Sequence, residues 1–420
     1  MPELEDIRRA RERIRGEVAV TPCSPSRLFQ DLVPGRLHFK FENRHRTGSF
    51  KERGALNRLL QLTPAERERG VIAASAGNHA QAVAFHAARL GIPSTIVMPE
   101  STPLVKVTNT RRHGGEVILH GQRFSEAIEE SHRLREARDL VMIHAYDDPE
   151  IVAGQGTIAL ELLEQVPEID VVVVPIGGGG IISGIAVGLK SLKPGVRVIG
   201  VEAEAAPSAR LSRDAGRIVE VETSHTLADG IAVKRLGEVT FPLVERYVDD
   251  IVVVGEEAIA RAILLLLERE KSVVEGAGSV PLAALVAGKI PVADDENVVA
   301  VLCGGNIDVN IVSRIIDRGL VDDGRLARLV VTVPDRPGSL ALLTRMVAGR
   351  GANVLEVAHQ RAFADITVGD VEIVVHLETR GRDHVNEIIA ALGEEGLHVR
   401  EAVHPSRQSA RGLGPGSSGS

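Results

Sequence analysis

The chain has no tryptophan, and aromatic residues fill only 2% of its 420 positions. A core this poor in rings must be built from Val, Ile, Leu and Ala, because hydrophobic residues still make up 44% of the chain, an ordinary share for a globular protein. Two cysteines, Cys23 and Cys303, are too few and too far apart for a disulfide framework or a CxxC zinc pattern. Free thiols suit a reducing compartment. Positive charge is not in excess either. Lys and Arg number 49 against 57 Asp and Glu, a net charge of −8, which argues against a nucleic-acid surface. The first residues, Met1-Pro2-Glu3-Leu4-Glu5-Asp6, are acidic and carry no apolar signal core. One uncharged stretch, 171–189, approaches the length of a membrane span, but Pro175, four consecutive glycines and Gly184 interrupt it. It reads instead as a strand, a loop and a helix start. The expectation is a cytoplasmic globular protein that engages neither nucleic acid nor membrane.

What is present is alternation. Strands are expected at 37–41, 71–75, 94–98, 116–119, 171–175, 197–201 and 298–302, with helices between them such as 79–89 and 124–137. This order predicts an α/β fold with parallel sheet and helices on both faces. The length suggests two or three domains. A composition shift at 319–327 reads as a linker separating a catalytic part, 1–318, from a smaller one, 328–405. Beyond it the pattern spells a ferredoxin-like βαββαβ unit: strand 329–333, a turn at Pro334-Asp335-Arg336-Pro337-Gly338, and a helix capped by Ser339. That helix is expected to run to Ala348, with Leu340, Leu343 and Val347 on one face. Strands 353–360 and 371–377, helix 384–392 and strand 397–402 complete the unit. The Gly/Ser-rich tail, 406–420, is expected to be disordered.

Four short segments follow strands, at the carboxyl ends where ligands bind in open α/β sheets. In Ser49-Phe50-Lys51-Glu52-Arg53-Gly54, a lone lysine is by itself no more than surface charge. Ser75-Ala76-Gly77-Asn78-His79-Ala80-Gln81 turns backbone N–H groups outward at a helix start, an anion site suited to a carboxylate. Ser and Asn are equally the favoured helix caps. Gly177-Gly178-Gly179-Gly180 lets backbone wrap closely around a phosphate. It is not a P-loop, since no Lys-Ser/Thr follows, and no acidic residue is placed to bind a ribose. Cys303-Gly304-Gly305-Asn306 alone would be a buried structural cysteine.

In this order the four segments resemble the fold-type II family of pyridoxal phosphate (PLP) enzymes, in its serine/threonine dehydratase branch, over roughly residues 5–318. The resemblance implies two open twisted α/β domains like those of tryptophan synthase β, with a small subdomain at about 54–150 inserted in the large one, and PLP as cofactor. By position it implies that Lys51 carries PLP as a Schiff base and removes a proton from the substrate. It implies that Phe50 packs on the ring, that Asn78 bonds the ring hydroxyl, that Gly177, Gly178, Gly179 and Gly180 hold the phosphate, and that Cys303 faces the pyridine nitrogen. Ser75, Gly77, Asn78 and His79 would hold the substrate carboxylate. The residue types agree with this chemistry: burial lowers an amine's pKa so that it can act as a base. Racemases resembling this family carry a second serine immediately before the loop glycine. Here that residue is Ala76, so elimination is expected rather than racemisation. The family's metal site maps to Glu202, the carbonyl of Ala206, and Ser208 in place of a carboxylate. No metal is therefore expected, and Glu202 reads as a surface acid.

The C-terminal unit resembles an ACT domain, through Asp335-Arg336-Pro337-Gly338-Ser339-Leu340 and Gly351-Ala352-Asn353-Val354. This implies an amino-acid ligand at Pro337, Gly338, Ser339, Leu340 and Asn353, between paired copies. The resemblance as a whole implies deamination of L-threonine, with L-serine as a second substrate, to 2-oxobutanoate and ammonia from threonine. It further implies a place in isoleucine biosynthesis, isoleucine or valine as effector, and a homodimer or homotetramer. Two alternatives stand beside it: a serine-preferring dehydratase, and a non-catalytic amino-acid sensor with a relic PLP domain. The intact Lys51 argues against the second.

Overall fold

The computed structural model describes residues 1–360, 367 and 369–402; the tail 406–420 lies outside the described residues. The chain divides into two compact units, residues 1–308 and the part from Val309 onward.

The first unit is built on two sheets. The larger runs in the spatial order Cys23–Pro25, Arg36–Lys40, Asn297–Val301, Val171–Pro175, Arg197–Ala203 and Asp250–Val254. All of its pairs are parallel except the first. The smaller sheet is fully parallel, in the order Glu116–Leu119, Ser94–Met98, Val71–Ala74 and Val141–Met142. Every residue of Val171–Pro175 and of Ser94–Met98 is buried, as continuous apolar strands covered on both faces require. The expected α/β architecture is borne out. Three strands escape the sequence reading. Cys23–Pro25 and Val141–Met142 are too short to show a period, and Asp250–Val254 is an edge strand that opens on an acid.

Three helices set the distances at the strand ends. Lys51–Leu60 packs on Pro149–Gln165, which packs in turn on Gly180–Leu192. The contacts are backbone to backbone. A Cβ on Gly154 would stand 2.6 Å from Cα of Gly54, and one on Gly184 would stand 2.5 Å from N of Gly156. The start of the Lys51 helix and the start of the helix after the glycine loop are thus held by the same central helix.

Beneath these helices lies a buried charge network. Arg53 Nε and Nη2 donate to Glu42 at 2.7 and 2.8 Å. Its Nη1 and Nη2 donate to Glu161 at 2.6 and 2.8 Å. Lys40 reaches the same Glu161 and also donates to the Thr21 carbonyl at 2.7 Å. His45 meets Glu42 at 2.9 Å. Burial alone would lower the Arg53 pKa, but the Glu42 and Glu161 carboxylates outweigh it and raise it above its ordinary value.

The second unit begins with the helix Val309–Asp322. The stretch expected as a linker is therefore the last turn of this helix, a short turn at 323–325, and the first residues of the strand Leu326–Pro334. The sheet order is Asn353–Gln360, Asp370–Glu378, Leu326–Pro334 and His398–Glu401, antiparallel throughout, and the helices are Ser339–Gly349 and Arg382–Glu394. This is the ferredoxin-like arrangement. Its core alternates along each strand, with Leu329, Val331 and Val333 packed with Ile373, Val375 and Leu377. Two local expectations fail. The helix cap is Gly338, in the left-handed region at φ 97°, while the Ser339 hydroxyl donates back to the Pro334 carbonyl at 2.7 Å. Leu340 is 37% exposed, whereas Leu343 and Val347 are buried. Among the described residues, no helix is long and apolar enough to cross a membrane.

The charge network gives a stability prediction. Arg53→Met strands two carboxylates in the core and should cost about 3–5 kcal/mol in urea unfolding. Arg53→Lys, a point charge that cannot fork to both carboxylates, should fall between wild type and Arg53→Met.

Candidate active site

The lysine turn is stitched to the segment after strand Asn297–Val301. Phe50 N donates to the Cys303 carbonyl at 3.0 Å, and Gly305 N donates to the Gly48 carbonyl at 2.9 Å. Ser49 and Gly304 form an antiparallel bridge. Asn306 then links two of the predicted segments. Its Nδ2 donates to the Thr47 carbonyl at 2.7 Å and to Asn78 Oδ1 at 2.8 Å. With its carbonyl oxygen so engaged, Asn78 donates through Nδ2 to Glu275 Oε1 at 2.6 Å. Thr47, Asn306, Asn78 and Glu275 therefore form one relay. Glu275 was not anticipated from sequence. Burial raises its carboxyl to about 7, and the charge of Asp229 adds to this.

Lys51 opens the helix Lys51–Leu60. Its Nζ donates to the Ala145 carbonyl at 2.7 Å and stands 5.1 Å from the centroid of the Phe50 ring. Burial lowers the amine to about 8, opposed by the Glu275 carboxylate. The Cys303 thiol is itself buried, and burial pushes its pKa up, with Glu275 adding. It remains a neutral thiol. Ser49 Oγ, two residues from Lys51, is buried without a protein partner.

The segment His144-Ala145-Tyr146-Asp147 was also missed, because a loop of mixed residues carries no periodic signal. It joins Lys51 to the glycine loop. His144 Nδ1 accepts from Asp147 N at 2.7 Å. The ring of Tyr146 lies flush on the loop, so that a Cβ on Gly178 would overlap it. Gly179 caps the helix Gly180–Leu192 at φ +92°, a conformation that favours glycine.

Along the second segment, Ser75 Oγ accepts from Gly77 N at 3.2 Å, and a Cβ on Gly77 would meet nothing within 4 Å. The His79 imidazole is turned away to the Ile143 carbonyl, at 2.9 Å. Burial lowers it to about 3, with the charge of Lys51 adding, so it stays neutral.

The reading of Glu202 as a surface acid is corrected. Glu202 is fully buried. Its two oxygens accept from Ala209 N at 2.7 Å and Arg210 N at 2.8 Å. Burial raises its carboxyl to about 7. Glu202 lies within the apolar strand Arg197–Ala203, and that strand is the signal that would have placed it inside. Among the described residues, no group of three His, Cys, Asp or Glu side chains is placed to hold a metal ion.

The donor set suits a phosphorylated aldehyde cofactor. It offers one half-buried amine with a lowered pKa, a glycine loop of the kind that binds phosphate, an orphan hydroxyl at Ser49, and an oriented amide at Asn78.

A family model described as pyridoxal-phosphate dependent enzyme matches residues 14–304. The chain belongs to this family of PLP-dependent enzymes. It is 49% identical over 400 residues to the L-threonine ammonia-lyase of Thermotoga maritima, covering 95% of this chain and 99% of that protein. Among solved structures, a threonine deaminase from T.th. is 41% identical with a TM-score of 0.69, over 73% of this chain and 99% of that one. Maize serine racemase is 36% identical with a TM-score of 0.72, over 76% and 98%.

The lowered amine can be tested without turnover. A neutral amine acylates, so labelling of Lys51 in the cofactor-free protein, followed by peptide mass spectrometry, should rise through a midpoint near 8. A midpoint near the ordinary lysine value of about 10.4 would contradict the burial argument.

Proposed function

We propose that the chain deaminates L-threonine to 2-oxobutanoate and ammonia, with Lys51 as its catalytic base. The observation that carries this reading is the half-buried Lys51 amine, lowered to about 8, in a turn bonded to the Cys303–Asn306 segment, which Asn306 ties in turn to Asn78. The names of the relatives support the substrate. PLP, when bound, supplies the electron sink for charge developing at Cα of the amino acid.

The residues then divide the work. Lys51 Nζ would hold the cofactor and would be the base for the Cα proton. Asn78, held in one orientation by Glu275 and Asn306, would donate its second amide hydrogen to the ring oxygen. Gly177, Gly178, Gly179 and Gly180 present backbone N–H groups to the phosphate. Phe50 would line the ring site, and Cys303, a neutral thiol, would face the ring nitrogen. Ser75, Gly77, Asn78 and His79 receive the substrate carboxylate at the helix start, His79 through its backbone, because its imidazole is committed to Ile143.

The second unit serves in this reading as an ACT regulatory domain, with Pro337, Gly338, Ser339, Leu340 and Asn353 around an amino-acid effector, isoleucine or valine. The exposed Leu340 and Leu342 beside the Gly338 turn support an apolar ligand there. Paired ACT units require at least a dimer. The two free cysteines fit a cytoplasmic setting.

The likeness to a serine racemase favours a second reading, but Ala76 offers no opposite-face acid or base. Ala76→Ser should therefore raise serine racemisation by about 100-fold or more, the low end of the range that a positioned acid–base group supplies. Unchanged D-serine formation, followed by chiral chromatography, would show that this position does not separate the two activities.

A keto-acid assay of the PLP-loaded chain tests the main reading. Threonine should exceed serine in kcat/KM by about tenfold or more, the contribution of one methyl group in a fitted pocket, and isoleucine should lower the rate. Turnover of neither substrate would remove the proposal; a preference for serine would change its substrate.

A further inference from the structure

We propose that Thr240 is a positioning residue that sets the glycine loop to receive a phosphate dianion. The proposal rests on the reading of Gly177–Gly180 as the phosphate site of a PLP enzyme. Thr240 is fully buried and opens the helix Thr240–Tyr247. Its Oγ1 donates to the Gly178 carbonyl at 2.6 Å and accepts from Gly237 N at 2.9 Å. A hydroxyl has a single proton. The other acceptor within reach, the Gly237 carbonyl, lies at 3.4 Å, so the proton belongs to Gly178.

That bond fixes more than one atom. In a trans peptide the carbonyl of one residue and the N–H of the next point in opposite directions. Tying the Gly178 carbonyl back to Thr240 therefore aims the Gly179 N–H the other way. Nothing larger than glycine fits between them, since a Cβ on Gly179 would stand 2.8 Å from Thr240 Cβ and Oγ1.

Thr240 is held in turn. Asp147 accepts from Glu238 N at 2.9 Å and from Val239 N at 2.7 Å, clamping the turn that delivers Thr240. The neighbour of Asp147 is Tyr146, whose ring covers Gly178. The Gly178 peptide is thus gripped on one side by a hydroxyl and on the other by a ring. Both grips trace back to the segment 144–147 that also accepts the Lys51 amine. Without the Thr240 hydroxyl, the Gly178 carbonyl loses this partner, and the peptide is free to rotate toward the incoming anion.

The test compares PLP with pyridoxal, which has the same ring and aldehyde but no phosphate, binding to cofactor-free protein followed by absorbance. Thr240→Val should bind PLP about 10- to 100-fold more weakly, the range expected when a buried acceptor is left unpaired, while pyridoxal affinity stays within about threefold of wild type. Thr240→Ser should restore PLP binding. The phosphorus NMR shift of bound PLP should move in Thr240→Val and return in Thr240→Ser. Equal loss of both ligands in Thr240→Val, through misfolding or otherwise, would make the role purely structural and overturn the proposal. So would unchanged PLP affinity in Thr240→Val, or a Thr240→Ser protein as weak as Thr240→Val. A wild-type chain that binds PLP and pyridoxal equally would instead overturn the phosphate reading of the loop, and the proposal with it.

Discussion

The guanidinium of Arg53, fully enclosed between the carboxylates of Glu42 and Glu161, is the constraint on which the site depends. Glu42 follows the strand Arg36–Lys40 of the large sheet, Glu161 lies on the helix Pro149–Gln165, and Arg53 stands two residues past Lys51. A planar fork with fixed donor directions can satisfy both carboxylates in only a narrow range of positions. The first turn of the Lys51 helix is thereby fixed against sheet and helix together. Buried ion pairs give little net stability over well-packed apolar residues, because desolvation offsets their attraction. What this one contributes is geometry. The glycine contacts between the three helices carry that geometry across to the glycine loop.

Within the frame, burial brings three groups of different chemistry toward neutral forms. The Lys51 amine comes down to about 8, the Glu275 carboxyl goes up to about 7, and the Cys303 thiol is pushed up. Perturbed groups gathered in one place mark a site that handles protons near neutral pH. Glu202 shows that a raised carboxyl alone does not make a site. It is equally buried and equally raised, but both of its oxygens are committed to the start of the helix Ser208–Ala215.

The sequence made some of this legible and hid the rest for physical reasons. Long apolar strands and the four loop segments could be read because each is local: a run of valines, or a string of glycines, states its own structure. The ferredoxin-like unit could be read from alternation in the same way. The Arg53 network could not, because its partners lie 11 and 108 positions away and an isolated arginine looks like surface. Glu275, Tyr146 and Thr240 were hidden for the same reason. Their roles come from chain crossings between separate elements, and nothing in their own neighbourhoods announces them. One local rule erred by a residue: Ser339 suggested the cap, but the left-handed turn went to Gly338.

The central claim is that, among all the lysines of the chain, the cofactor is held by the one that opens the helix Lys51–Leu60. Borohydride treatment of the PLP-loaded protein fixes the cofactor to whichever lysine holds it, and peptide mapping by mass spectrometry then locates the mass increment. The account predicts the increment on the peptide containing Lys51, at about one per chain, and its absence from Lys51→Ala. An increment on any other lysine, or the same labelling in Lys51→Ala, would contradict it.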